Sequence, residues 1–88
     1  MIFNIDELKK KIIYRSTYRG TKEMDALISS FTKQIINDLN GDELINLSNL
    51  LDIDDENLYK FNQGLSPTVD IEENKVSKLF KKFKYNKE

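Results

Sequence analysis

Eighty-eight residues with one proline and three glycines suffice for one small domain and fall short of two separate cores. A composition of 39% apolar and 33% charged residues, with net charge -1, fits a thin core under a well-solvated surface and contains no apolar run long enough to cross a bilayer. Cysteine and histidine are both absent, which removes disulfides, thiolate chemistry, the commonest general base and the commonest zinc ligand.

Apolar residues recur at helical spacing along nearly the whole chain, and no stretch alternates as a half-buried strand does. The expected fold class is all-α: a compact single-domain bundle of five short helices spanning residues 1–88, with the tail frayed from about Tyr85. The first helix is predicted over Ile5 to Tyr18, with Ile5, Leu8 and Ile12 inward, and Gly20 supplies the left-handed turn that ends it. A second runs from Lys22 to Leu39 on the stripe Met24, Leu27, Ile28, Phe31 and Ile35. Asn40 stands three residues before Glu43, the spacing of a capping box, and starts a third helix to Leu51 with Leu44, Leu47, Leu50 and Leu51 inward. Asp54 caps a fourth through Asn62, which Gly64 and Pro67 stop. In this helix Tyr59 and Phe61 lie two apart, so only one of them can face the core. Asp70 and Glu73 repeat the capping-box spacing before a fifth helix that buries Val76, Leu79, Phe80 and Phe83.

Charge is unevenly distributed. Residues 1–22 hold six basic and two acidic side chains, residues 23–73 two basic and twelve acidic, and residues 74–88 six basic and one acidic. Basic ends around an acidic middle suit either electrostatic closure of the fold or a partner with patches of both signs. The start MIFNIDEL lacks the features of a secretory signal or an Arg-rich transit peptide, so the expected location is the bacterial cytoplasm.

Two constellations invite chemistry and fail to support it. Asp52, Asp54 and Glu56 alternate like calcium ligands, but the sixth loop position is Asn57 instead of glycine and the twelfth is Gln63 instead of glutamate. A solvated loop and helix cap is the better reading. Lysines at 9–11 and in KLFKKFK suit phosphate contacts, with Tyr14 and Tyr18 available for stacking, yet the acidic middle would repel a polyanion. A small nucleic-acid-binding protein or an antitoxin-like interaction module therefore stands as the alternative, not the first expectation.

The stretch YRSTYRGTKEMD gathers Tyr14, Arg15, Tyr18, Arg19 and Lys22 around one glycine before the sign changes at Glu23 and Asp25. Taken on its residues alone it reads as a joint between two helices, with Arg19 at one dipole end and Glu23 at the other. It also concentrates large hydrogen-bonding side chains as an interface hot spot does.

The same run resembles the signature of the succinate dehydrogenase flavinylation (FAD assembly) factors, Arg-Gly-x-x-Glu followed by an acidic residue and an apolar helix, here Arg19, Gly20, Glu23 and Asp25. LLDIDDENLYKFNQG is similar to that family's second motif, with Phe61 at the usual tryptophan, and Thr17 and Tyr18 occupy positions where basic residues are usual. The resemblance implies a five-helix assembly chaperone, not an enzyme. It would bind the flavoprotein subunit of succinate dehydrogenase, with fumarate reductase a second candidate client, and promote covalent attachment of FAD to a histidine of that subunit. FAD would be carried by the partner, with no cofactor or metal held stably here, no nucleic acid bound, no insertion into a membrane, and the chain a monomer. The motif places Arg19, Gly20, Glu23 and Asp25 in the expected partner-binding surface, and the hot-spot character of the joint adds Arg15 and Tyr18. Arg19, supported by Arg15, is expected to pair with a carboxylate or carbonyl of the client. Glu23 is expected to orient Arg19 or accept a bond from the client.

Overall fold

The computed structural model describes residues 4–85, which contain five α-helices and no strand. Each helix begins where a short polar side chain satisfies the first free amides. α1 (Ile5–Thr17) is capped by Asn4, whose Oδ1 accepts from Glu7 N at 3.1 Å, and α2 (Lys22–Ile35) by Thr21, whose Oγ1 accepts from Met24 N at 3.2 Å. The predicted second helix tightens over its last turn into a 3-10 segment, Ile36–Asp38. α3 (Gly41–Leu51) has the expected reciprocal box between Asn40 and Glu43, with both bonds at 2.9 Å. α4 (Asp55–Asn62) is capped by Asp54, and Gly64 follows with φ +78°.

The fifth helix starts later than its sequence suggests. α5 spans Lys75–Lys82, and its capping box is Asn74 with Ser77, both bonds at 2.9 Å, rather than Asp70 with Glu73. Ser77 replaces the glutamate of the usual pattern. The short helix turns Val76, Ser77 and Phe80 into the core, and Leu79, expected inward, is exposed one position off that face. Ile5 likewise lies exposed on the first turn of α1, while Ile12 is fully buried and Leu8 packs on the core from its edge.

All five helices contribute to one core, through Ile12, Ile28, Phe31, Leu44, Leu47, Leu58, Val76 and Phe80 among others. Each such side chain contributes roughly 1.5–3 kcal/mol by leaving water. Phe31 sits 5.0 Å from the Phe80 ring and 5.4 Å from Phe83, tilted as aromatic pairs prefer. α1 lies against both α2 and α3, and α5 against α3 and α4. Phe61 stacks toward Phe80 while Tyr59 is exposed, the division that their spacing requires. The part of the expected frayed tail beyond Tyr85 lies outside the described residues.

Neutral amides close the C-terminal side. Asn62 Nδ2 donates to the carbonyls of Phe80 (2.8 Å) and Phe83 (3.0 Å), satisfying acceptors at the end of α5. Asn57 Oδ1 accepts from both the amide (2.8 Å) and hydroxyl (3.1 Å) of Thr68, pinning the α4–α5 loop.

Candidate functional site

The α1–α2 joint folds over the end of α3. Gly20 has φ +141°, a conformation that side chains with a Cβ rarely adopt, so the direct return from α1 into α2 depends on glycine there. Asp25, one turn into α2, reaches back with Oδ1 to accept the backbone amides of Arg19 and Gly20, the latter at 3.3 Å. A carboxylate thus ties down the two amides of the turn itself.

Both arginines of the joint point toward the molecule's own α3–α4 turn. Arg19 donates from Nη1 to Leu51 O (2.8 Å), from Nη2 to Ile53 O (2.9 Å) and from Nε to Asp55 Oδ1 (2.9 Å), and its side chain is only 10% exposed. The guanidinium meets carbonyls at the end of α3, where the helix dipole favours positive charge. Arg15 grips the same helix end from one turn earlier. Its Nη1 donates to Ser48 Oγ (2.8 Å), and Nη2 donates to Ser48 O (3.3 Å) and pairs with the Asp52 carboxylate. The carboxylate expected of a client is therefore matched, for Arg19, by Asp55 of its own chain. Asp55 and Asp25 orient Arg19, and Glu23 makes no bond to it among the described residues.

What the joint leaves outward is different in kind. Tyr14 and Tyr18 form an aromatic pair with centroids 4.8 Å apart, and they are 66% and 68% exposed. Gly20, Lys22 and Glu23 are exposed beside them. Glu23 also stands at the edge of an open groove of about 380 Å³, whose walls include Met24, Leu27, Tyr59 and Tyr85. Arg15, Tyr18, Arg19, Gly20, Glu23 and Asp25 thus occur in one place, divided into an inner set that holds the turn and an outer set that faces solvent.

Sequence reasoning passed over Ser48, Asp52 and Asp55, which complete the inner set. Ser48 falls within the predicted third helix, and the stretch of Asp52 and Asp55 reads as a solvated acidic loop. The available signal was the sign change between a basic start and an acidic middle, together with two arginines at a helix end that needed partners. No group of three or more carboxylates among the described residues is placed to hold a metal ion, and no helix there is long and apolar enough to cross a membrane.

Comparison with known proteins gives a consistent result. The profile of a family described as "Flavinator of succinate dehydrogenase" matches residues 10–84. The protein named succinate dehydrogenase assembly factor 2, mitochondrial, from Debaryomyces hansenii is 33% identical over 97% of this chain and 63% of its own length. Proteins of the same name from Lodderomyces elongisporus (31%) and Danio rerio (27%) each align with 96% of this chain and 54% of their own length. The chain therefore spans only about half to under two thirds of these relatives. Their names carry the word mitochondrial, which lends no support to the bacterial setting expected from the sequence. No solved structure gives a significant match. With a profile matched from the second turn of the fold's first helix to the segment after its last, and relatives aligned along nearly its whole length, this chain belongs to the succinate dehydrogenase flavinator (assembly factor) family.

Proposed function

We propose that this protein is an assembly chaperone that docks on the flavoprotein subunit of succinate dehydrogenase and promotes covalent attachment of FAD to it. Family membership supports the general role. The observation that carries the finer reading is the division of the α1–α2 joint. Tyr18, Gly20 and Glu23 are offered to solvent, while Arg15, Arg19 and Asp25 spend their polar atoms holding that face in shape.

Such a surface suits a protein client. Two large aromatic rings supply contact area with few torsions to immobilise, a bare backbone allows close approach, and one carboxylate supplies a directed acceptor. Tyr14 joins the set through its contact with Tyr18. With neither histidine nor cysteine in the chain, the groups that form the bond to flavin belong to the client, and the flavin travels with the client. The contribution made here is geometric: a client flavin domain held so that the reacting atoms stay aligned.

The test mixes purified apo-flavoprotein subunit with FAD, with and without this protein, and follows flavin fluorescence retained in a denaturing gel. Acceleration together with a stable complex is expected. Absence of both rejects the proposal. Glu23→Ala is expected to weaken the complex by about tenfold, the scale of one charge-assisted hydrogen bond, with the thermal midpoint unchanged.

A further inference from the structure

We propose that Asp55 is a positioning residue for the docking turn: it anchors the Arg19 guanidinium and thereby fixes Gly20 and Glu23 in the geometry the client meets. This inference rests on the reading of that face as the docking site.

Arg19 is pinned from two sides. Its main-chain amide is held by Asp25 from α2, and its side chain by Asp55 and two carbonyls at the α3–α4 turn. The backbone between these anchors and α2 is Gly20, and a Cβ on it would stand 3.7 Å from Asp55 Oδ2, so the turn lies directly on this carboxylate. Leu51 O and Ile53 O alone would leave a nearly buried guanidinium with hydrogen bonds but no opposite charge. Asp55 supplies that charge through Nε. Without it, the guanidinium is better solvated by swinging out to water, and the turn attached to it loses its anchor.

Asp55 is also spare for this task. Capping of α4 is done by Asp54, whose carboxylate accepts from Asn57 N (3.3 Å) and Asn57 Nδ2 (2.8 Å). Removing the Asp55 charge therefore leaves the helix start intact and acts on the neighbouring joint, 36 residues away in sequence. That separation between helix capping and turn anchoring makes a positioning role distinguishable from a general contribution to folding.

The experiment compares wild type, Asp55→Asn and Glu56→Gln. Glu56 is an exposed neighbour with no bond to Arg19, so its substitution makes the same charge change without touching the anchor. Binding is titrated against the apo-flavoprotein subunit of succinate dehydrogenase, and backbone amide resonances of Gly20 and Glu23 are recorded in the free protein. Asp55→Asn is expected to retain full helicity, shift both resonances and weaken binding by about tenfold, while Glu56→Gln changes neither. In a Glu23→Ala background, Asp55→Asn is expected to cost less than it does alone, because both act through one contact. Arg19→Lys keeps the charge but cannot span the carboxylate and both carbonyls, and is expected to behave as Asp55→Asn does. A folded Asp55→Asn variant with unmoved Gly20 and Glu23 resonances, or one that binds as wild type does, overturns the inference. If wild type itself fails to bind, the docking reading falls, and the two resonances still decide whether Asp55 positions the turn.

Discussion

Two regions of this bundle are fastened by different chemistry. At the α1–α2 joint the fasteners are charged: two arginines grip the end of α3, Asp52 just past α3 and Asp55 of α4 pair with their guanidinium groups, and Asp25 of α2 holds the amides of the turn. In the α4–α5 connection the buried fasteners are neutral, with Asn57 and Asn62 accepting from or donating to their partners with little exposure, and the ion pair of Lys75 with Glu43 (3.2 Å) lies nearer the surface. Charged groups can reach across a turn and leave its outer surface free, whereas buried amides stitch segments together and expose nothing. The first arrangement suits a face that must be presented, the second a fold that must only be closed.

The sharpest way to break the comparison is at Gly20. Gly20→Val must hold a β-branched residue at φ +141° beside Asp55, which costs about 1–3 kcal/mol of backbone strain and moves the presented turn. Both the thermal midpoint and client binding are expected to fall, with binding reduced by more than the tenfold expected of Glu23→Ala. A Gly64→Val variant serves as the contrast, since Gly64 also has positive φ but an added Cβ there meets open space instead of Asp55. It is expected to lose stability alone. Equal losses of binding in the two variants would mean that strain, not the proposed docking turn, governs binding.

Asn62→Ala probes the neutral fastening of α5, whose donor lines the far wall of the groove that Glu23 borders. It removes the side-chain donor to Phe83 O and one of the two donors to Phe80 O, which keeps the Phe83 amide, and an acceptor left unsatisfied costs about 1–3 kcal/mol. A lower midpoint in chemical denaturation is expected, with client affinity of the folded fraction unchanged. Altered affinity at matched folded concentration would show that the two regions are coupled.

Much of this division was legible in the sequence, for identifiable reasons. The helices of the first two thirds announce themselves because caps and apolar stripes agree: Asn40 with Glu43, Asp54 before Leu58, and the Met24 to Ile35 face. The start of α5 was misread because Ser77 can close a capping box as well as glutamate does, and Asp70 with Glu73 offered a closer match to the familiar spacing. The joint was found as a motif, but its inner and outer halves could not be separated. Which way Arg15 and Arg19 point depends on α3–α4 groups more than thirty residues later, and no local pattern records such pairs. Of the two readings the charge pattern allows, electrostatic closure is what the turn shows, and the partner recognition proposed above would use the face that the closing pairs leave exposed.

Acid provides a graded test of the helix starts. Glu43 is held below its ordinary 4.5 chiefly by the Asn40 amide, with Lys75 assisting, and Asp54 below its ordinary 3.8 chiefly by Asn57. Because these folded-state values are lowered, their contribution is complete above the ordinary carboxylate range and is lost as pH falls through the lowered values. The thermal midpoint is expected to decline on acidification through that window. Asp54→Asn keeps a competent cap, and its decline is expected to be shallower than wild type. An identical acid profile would mean that the Asp54 charge contributes nothing beyond the cap.

The smallest effect is expected where the two arginines are compared with each other. Arg15 is 34% exposed and its partner Asp52 68%, so water and salt screen this pair far more than the pair Arg19 makes with Asp55. Arg15 also keeps the Ser48 hydroxyl and carbonyl when Asp52 is neutralised. Asp52→Asn is therefore expected to cost no more than about 1 kcal/mol, and that difference should shrink further at high salt. Measured beside Asp55→Asn by denaturation at low and high ionic strength, it separates the outer grip on α3 from the inner one. If Asp52→Asn proved the more damaging of the two, the joint would be held mainly from its exposed side, and the assignment of Arg19 as its principal anchor would have to be reversed.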